Sequence, residues 1–235
     1  FLQQPHRQPF LAMAGFYKPH LPWYAPQRWL DRYPLNQIEL PPQLATDLND
    51  VPATAQQWAQ SPPDDATLTA AGLSREAVRA YKASISFADE QIGRVLEALW
   101  SSPQASNTIV ALWSDNGFHL GEKLHWRKFT LWEEATRVPL IIADPQGGPY
   151  RPRVAAPVSL IDLFPTLLDL AGLPAMPGVD GHSLKAVMKG SSSTAQTPAL
   201  MSWGAGNDSI RQGPWRYIRY RAGGEELYQD RKSVV

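Results

Sequence analysis

The chain has 235 residues, 43% apolar and 19% charged, which excludes a disordered polyelectrolyte and is enough to bury a sizeable core. Its 22 Lys+Arg balance 22 Asp+Glu, so the basic excess of a nucleic-acid binder is absent. With no Cys there is no disulfide framework, thiolate metal site or Cys nucleophile within these residues. The longest clean apolar run, near Leu140 to Ala143, is far short of the roughly 20 residues that span a bilayer.

The start at Phe1, without a charged n-region, and the stop at Val235, just past a strand-like stretch, lead us to expect a piece of a longer protein. Pro9 to Gly15 reads as a short buried strand, followed by a rigid loop at Phe16 to Pro22 in which two prolines restrict their neighbours. Residues 23–73 are rich in Pro and aromatic residues and read as an irregular segment covering the domain. Ser74 is the expected N-cap of a helix over 75–100, with Val78, Ile85, Ala88, Ile92, Val95 and Leu99 at helical steps. Thr108 to Trp113 is a continuous apolar run that suits a buried strand of a parallel sheet. Val138 to Ala143 reads as another strand. Ser159 to Leu170 reads as a helix closed by Gly172 and Pro174. After a Ser/Thr/Gly-rich connection at 190–197, four short strands predict a β-rich subdomain over 198–235, distinct from a larger domain over 1–197.

Three clusters carry chemistry. Asp115-Asn116 follows the buried strand at 108–113, where ligands collect in α/β sheets. A carboxylate beside an amide oxygen suits a hard cation, but Asp-Asn-Gly is also a common turn. Gly121 to Lys128 holds Lys123, His125, Arg127 and Lys128, a set that binds an oxyanion or forms a solvated charged loop. His119, Glu122 and His125 are spaced H-x-x-E-x-x-H, but Gly117 and Gly121 oppose the helix that zinc binding would need. In Lys18-Pro19-His20, a His at a strand end is either a general acid or a packed or surface side chain. His182 is given no role. Asn207-Asp208-Ser209 is a lone glycosylation sequon. No G-x-S-x-G, phosphate-binding G-x-x-x-x-G-K-[ST] or dinucleotide-binding glycine motif occurs.

Taken together, GFYKPHLPWYAP from Gly15, SDNGFHLGEKLHWRKFTLWEEATRVPLI from Ser114, VSLIDLFPTLLDLAGL from Val158, DGHSL from Asp180 and ELYQD from Glu226 resemble the type I, formylglycine-dependent sulfatases. The subgroup resembled is the iduronate-2-sulfatase-like and choline-sulfatase-like one. The resemblance implies an α/β fold: a partial alkaline-phosphatase-like α/β/α sandwich with a small C-terminal antiparallel sheet. It implies metal ligation by Asp115 and Asn116, usually to Ca²⁺, with Mg²⁺ as the alternative. It makes Lys128 the sulfate-contacting lysine and His20 the histidine near the leaving-group oxygen. Lys18, Phe118, His119, Lys123, His125 and Trp126 become candidates for binding or backing the substrate.

The sequence departs from the family pattern in one large respect. No C/S-x-P-x-R is present to yield the formylglycine, and Asp64-Asp65 lies in the wrong context for the family's other metal pair. The resemblance therefore implies the C-terminal part of an exported sulfatase (periplasmic or extracellular, or lysosomal in a eukaryote) acting on a sulfated small molecule or carbohydrate. Neither nucleic acid nor membrane is an expected partner, and the oligomeric state is left unassigned. The segment alone is expected to be inactive. The rival readings are a phosphatase or phosphodiesterase of the same superfamily, a non-catalytic module that binds sulfated glycans, and a truncated chain that folds poorly.

Overall fold

The computed structural model describes residues 1–190 and 198–229. The expected Ser/Thr/Gly-rich connection and the last residues of the β-rich subdomain lie outside them. Short helices α1 (Gln27–Leu30), α2 (Ala53–Gln60) and α3 (Asp64–Ala71) lead to the long α4 (Ser74–Trp100). Strand β1 (Val110–Trp113) follows, then a small hairpin of β2 (His119–Leu120) and β3 (Trp126–Arg127), helix α5 (Glu133–Thr136) and strand β4 (Leu140–Ala143). Helices α6 (Leu163–Leu170) and α7 (Lys185–Met188) precede a four-stranded meander, β5 (Ala199–Ser202), β6 (Asp208–Gln212), β7 (Trp215–Arg219) and β8 (Glu225–Gln229). No helix among the described residues is long and apolar enough to cross a membrane.

The long helix forms where its periodicity predicts, but its buried face differs. Val78, Ala83, Ser84, Ala88 and Leu99 are buried, whereas Ile85 and Val95 are exposed. Ser74 is the first helical residue and Leu73 the N-cap, without a side-chain cap. Ser159 and Asp162 form a reciprocal capping box on the 3-10 turn Leu160–Asp162 that leads into α6, and Gly172 at φ +68° follows the helix end in the left-handed conformation open to glycine.

Three expectations are corrected. Residues 9–15 form no strand: Leu11 and Met13 are exposed, and an apolar run without a neighbouring strand has no ladder to join. Residues 23–73 are not simply irregular but hold α1 to α3. β1 pairs antiparallel with β4, Val110 opposite Ala143 and Trp113 opposite Leu140. The chain between them folds back through β2, β3 and α5 rather than crossing over in one helix, so β4 returns reversed. Trp113 and Ile141 are exposed, so this ribbon is not covered on both faces.

Two clusters of buried side chains organise the rest. One joins Ile38, Val78 and Trp126, with Trp23, Tyr33 and Leu120 against it. The other joins Val51, Ala55 and Ala59 to Leu131, Trp132, Ile218 and Tyr220, so the C-terminal meander packs on α2 and on the segment before α5. The meander alternates as a half-buried sheet should: Ser209, Arg216, Ile218 and Glu226 face inward. Its two buried charges are compensated. Arg216 pairs with Glu133, and the Glu226 carboxylate accepts hydrogen bonds from Trp132 Nε1 at 3.0 Å and from the Tyr220 and Tyr228 hydroxyls. Burial, then the Glu226 carboxylate, pushes both tyrosines well above their ordinary pKa.

Candidate functional site

Residues 114–118 leave the end of β1 in a tight turn. The Gly117 amide donates to Ala135 O at 2.9 Å, and a Cβ on Gly117 would lie 2.0 Å from Glu134 O, so only glycine lets the turn lie this close to α5. Ser114 Oγ donates to Asn116 O at 2.8 Å, and Asn116 Nδ2 donates to Gly117 O at 2.7 Å. The Asn116 Oδ1 and the exposed Asp115 carboxylate accept no hydrogen bond among the described residues. Both are oxygen donors, right in kind for Ca²⁺ or Mg²⁺, which bind oxygen; Ca²⁺ takes about six to eight. Among the described residues no group of three or more His, Cys, Asp or Glu side chains is placed to hold a metal ion. The pair is thus right in kind for an oxygen-seeking cation and would offer two of the several oxygens it needs.

Phe118, next in the chain, belongs to an aromatic box. Trp23 packs edge-on to Phe118 (5.5 Å between centroids) and to Tyr81 (5.6 Å), lies 6.3 Å from Trp126, and Phe118 stacks on Tyr81 at 5.4 Å. Trp23 Nε1 donates to Pro19 O at 2.8 Å. The box therefore fastens the loop carrying Lys18 and His20 to the segment carrying Asp115, Asn116 and Trp126. Within that loop Lys18 Nζ donates to Pro22 O, and the exposed His20 ring lies 4.8 Å from Tyr17. His20 Nδ1 is 2.7 Å from Leu21 O, which assigns the proton to Nδ1 and leaves Nε2 free.

Lys128 sits between two buried anchors. Trp126 belongs to one core cluster, Leu131 and Trp132 to the other. Arg127 has φ +89°, an unusual value for a residue with a Cβ, and is held there by a bidentate ion pair with Asp64. Trp126 Nε1 donates to Asp65 Oδ1 at 3.0 Å. Two carboxylates in the first turn of α3 thus grip the two residues before Lys128. Lys128 Nζ has no hydrogen-bond or ion-pair partner among the described residues and lies 5.9 Å from the Phe129 ring centre.

The remaining candidates are engaged in packing. His119 is fully buried, with Nδ1 3.2 Å from Glu122 O and Nε2 2.9 Å from Thr130 Oγ1. Burial, reinforced by neighbouring His125, drives its pKa down to about 3. His125 is buried too, with Nδ1 3.0 Å from Ala59 O and a pKa lowered by burial. Lys123 pairs with Asp47 at 2.8 Å and lies over the Tyr228 ring. The structure therefore gathers Phe118, Trp126 and the Lys18–His20 loop around one aromatic box, and turns Lys123, His119 and His125 toward the α2 side.

Sequence reasoning missed Trp23 and Tyr81 as the fasteners of this site, and Asp64 and Asp65 as the supports of Arg127 and Trp126. Adjacent acids at a helix start were the available signal for the second pair. The sequon is consumed structurally: Asn207 Nδ2 donates to Trp203 O at 3.1 Å, its Oδ1 accepts from Arg221 N, and Ser209 is buried. Two clefts, of about 480 and 380 Å³, lie elsewhere, against α4 and between α4 and β4.

The family model for sulfatases matches residues 1–173. A sulfatase of Formosa agariphila is 40% identical over 227 residues, covering 96% of this chain and 45% of that protein. The choline-sulfatase of Rhizobium meliloti is 31% identical, covering 94% of this chain and 44% of that one, and the human (Homo sapiens) iduronate 2-sulfatase is 32% identical over 72% and 37%. The chain thus spans about half the length, or less, of the curated relatives it matches. Among solved structures, a phosphonate monoester hydrolase from Silicibacter pomeroyi superposes with a TM-score of 0.77 at 23% identity, over 92% of this chain and 48% of that one. A protein in complex with its substrate D-glucosamine-2-N,6-O-disulfate superposes with a TM-score of 0.70 at 22% identity, over 90% and 57%. These likenesses establish the alkaline-phosphatase-like α/β fold with its C-terminal antiparallel sheet. On the extent of the family match and the identity to its relatives, the chain belongs to the sulfatase family.

Proposed function

We propose that this chain carries the sulfate-contacting, proton-donating and cation-holding part of the active centre of a longer sulfatase, a hydrolase of sulfate esters of a carbohydrate. The observation that supports it most is the aromatic box: Trp23 joins the His20 loop to Phe118 and Trp126, so residues nearly a hundred positions apart are held at one place. When bound, a Ca²⁺ or Mg²⁺ ion supplies positive charge against the sulfate oxygens, and a formylglycine, for which these 235 residues hold no motif, supplies the nucleophile.

The chain's own residues do the rest. Asp115 and Asn116 offer oxygens to the cation. Lys128, fixed at its backbone between two buried anchors, offers an uncommitted ammonium to a sulfate oxygen. With Nδ1–H holding the ring on Leu21 O, the doubly protonated His20 ring gives its Nε2 proton to the departing alcohol oxygen, otherwise a poor leaving group, and is left neutral. Export of the parent protein belongs to this proposal on family membership alone.

The test uses the full-length protein and two substrates. In His20→Ala, turnover of a sugar sulfate falls by about 10²-fold or more, while an activated nitrophenyl sulfate, which needs no protonation to leave, is nearly spared. Equal losses on both substrates would overturn the acid role.

A further inference from the structure

Phe129 and Trp203 come from distant parts of the chain and meet with ring centres 4.9 Å apart at an interplanar angle of 34°. Each keeps 44% of its surface exposed. The two rings pack on each other and both remain partly open to water. Both are firmly supported. Phe129 sits between the Trp126 and Leu131 anchors, and its neighbour Thr130 bonds His119. Trp203 begins the β5–β6 turn: its amide donates to Asn207 O at 3.0 Å, and Asn207 Nδ2 returns a bond to Trp203 O. Lys128 Nζ lies 5.9 Å from the Phe129 ring centre.

We propose that Phe129 and Trp203 form an aromatic wall beside Lys128 that holds the pyranose ring of a sulfated sugar while Lys128 takes its sulfate. This rests on the sulfatase reading above and deepens it. A sugar's C–H face packs well on an aromatic surface, and a sulfate on that sugar lies within reach of an ammonium one residue away. A quaternary-ammonium alcohol would also favour aromatic rings. Lys128 takes the sulfate of either substrate and so does not separate them, and choline sulfate enters the test as the competing ligand. The C-terminal meander thereby contributes a specificity-determining residue.

The experiment compares, in the full-length protein, glucose 6-sulfate with its open-chain analogue glucitol 6-sulfate and with choline sulfate. Trp203→Ala raises KM for the ring substrate about tenfold with kcat unchanged, and leaves KM for the open-chain substrate alone. Phe129→Ala behaves alike, Trp203→Phe restores most of the loss, and Trp100→Ala, an exposed tryptophan elsewhere, changes nothing. Equal KM shifts for ring and open-chain substrates, no shift at all, or preference for choline sulfate would overturn the wall. If the wild-type protein releases sulfate from none of the three and from no nitrophenyl sulfate either, the sulfatase reading fails. Saturation-transfer NMR with glucose 6-sulfate then decides the wall by itself. Saturated ring protons that disappear in Trp203→Ala support it; their absence in wild type, or persistence in the variant, overturns it.

Discussion

Gly117 lies where two backbones meet. A methyl group there would collide with the carbonyl of Glu134, and neither partner is a side-chain tip that can swing away. Gly117→Ala is expected to destabilise the fold by about 2 kcal/mol or more, read from urea unfolding. A wild-type midpoint would contradict the close approach. His119 gives a pH signature. Held neutral with a folded pKa of about 3 against an ordinary 6.5, it takes up a proton only on unfolding when the pH drops below 6.5. The unfolded state then binds more protons, so this contribution is full above pH 6.5 and is lost as pH falls toward 3, by about 1.4 kcal/mol per pH unit. His125 adds in the same direction. In His119→Asn the slope of stability against pH between 4 and 6 should fall by that amount; an unchanged slope would show that His119 is not buried neutral.

Among the elements, α4 was the most readable, because 27 residues of helical spacing leave no competing period. Which of its residues face inward was less readable: Ile85 and Val95 fit the spacing yet stay exposed, while Ala83 and Ser84 are buried. The Ser84 hydroxyl is buried and has no hydrogen-bond partner among the described residues. Ser84→Ala should therefore keep or raise the melting temperature, by up to about 1 kcal/mol of stability, and a marked loss would mean the hydroxyl is satisfied. Strands β1 and β4 were legible as apolar runs, but their mutual direction was not, since an apolar run reads alike in parallel and antiparallel ribbons. Helices α2 and α3 were lost among prolines. Yet Pro63, Asp64, Asp65 and Gly72, at φ +68°, are helix start and stop signals, and α3 proves to support the residues before Lys128. At the site, the family pattern drew attention to the Lys18–His20 loop, Phe118 and Trp126, which the structure gathers around one aromatic box. The burial of His119 and His125 was not legible, because a charged run gives no sign of the α2 carbonyl that one of them finds.

Over the whole molecule, the chain spans half or less of its curated relatives and leaves a two-stranded β1–β4 ribbon with exposed Trp113 and Ile141. Such a ribbon is marginal without neighbouring strands and exposes unpaired edges. The 235 residues expressed alone are expected to self-associate in size-exclusion chromatography; a monodisperse monomer with a cooperative melt would show that the ribbon needs no neighbours. On the proposed function, Lys128 meets sulfate at the centre assembled around Trp23. The decisive measurement is sulfate release from a sulfated monosaccharide by the full-length protein, wild type against Lys128→Ala. The expected result is a loss in kcat/KM of about 10²-fold or more at an unchanged melting temperature. An unchanged kcat/KM would contradict it and remove Lys128 from the site.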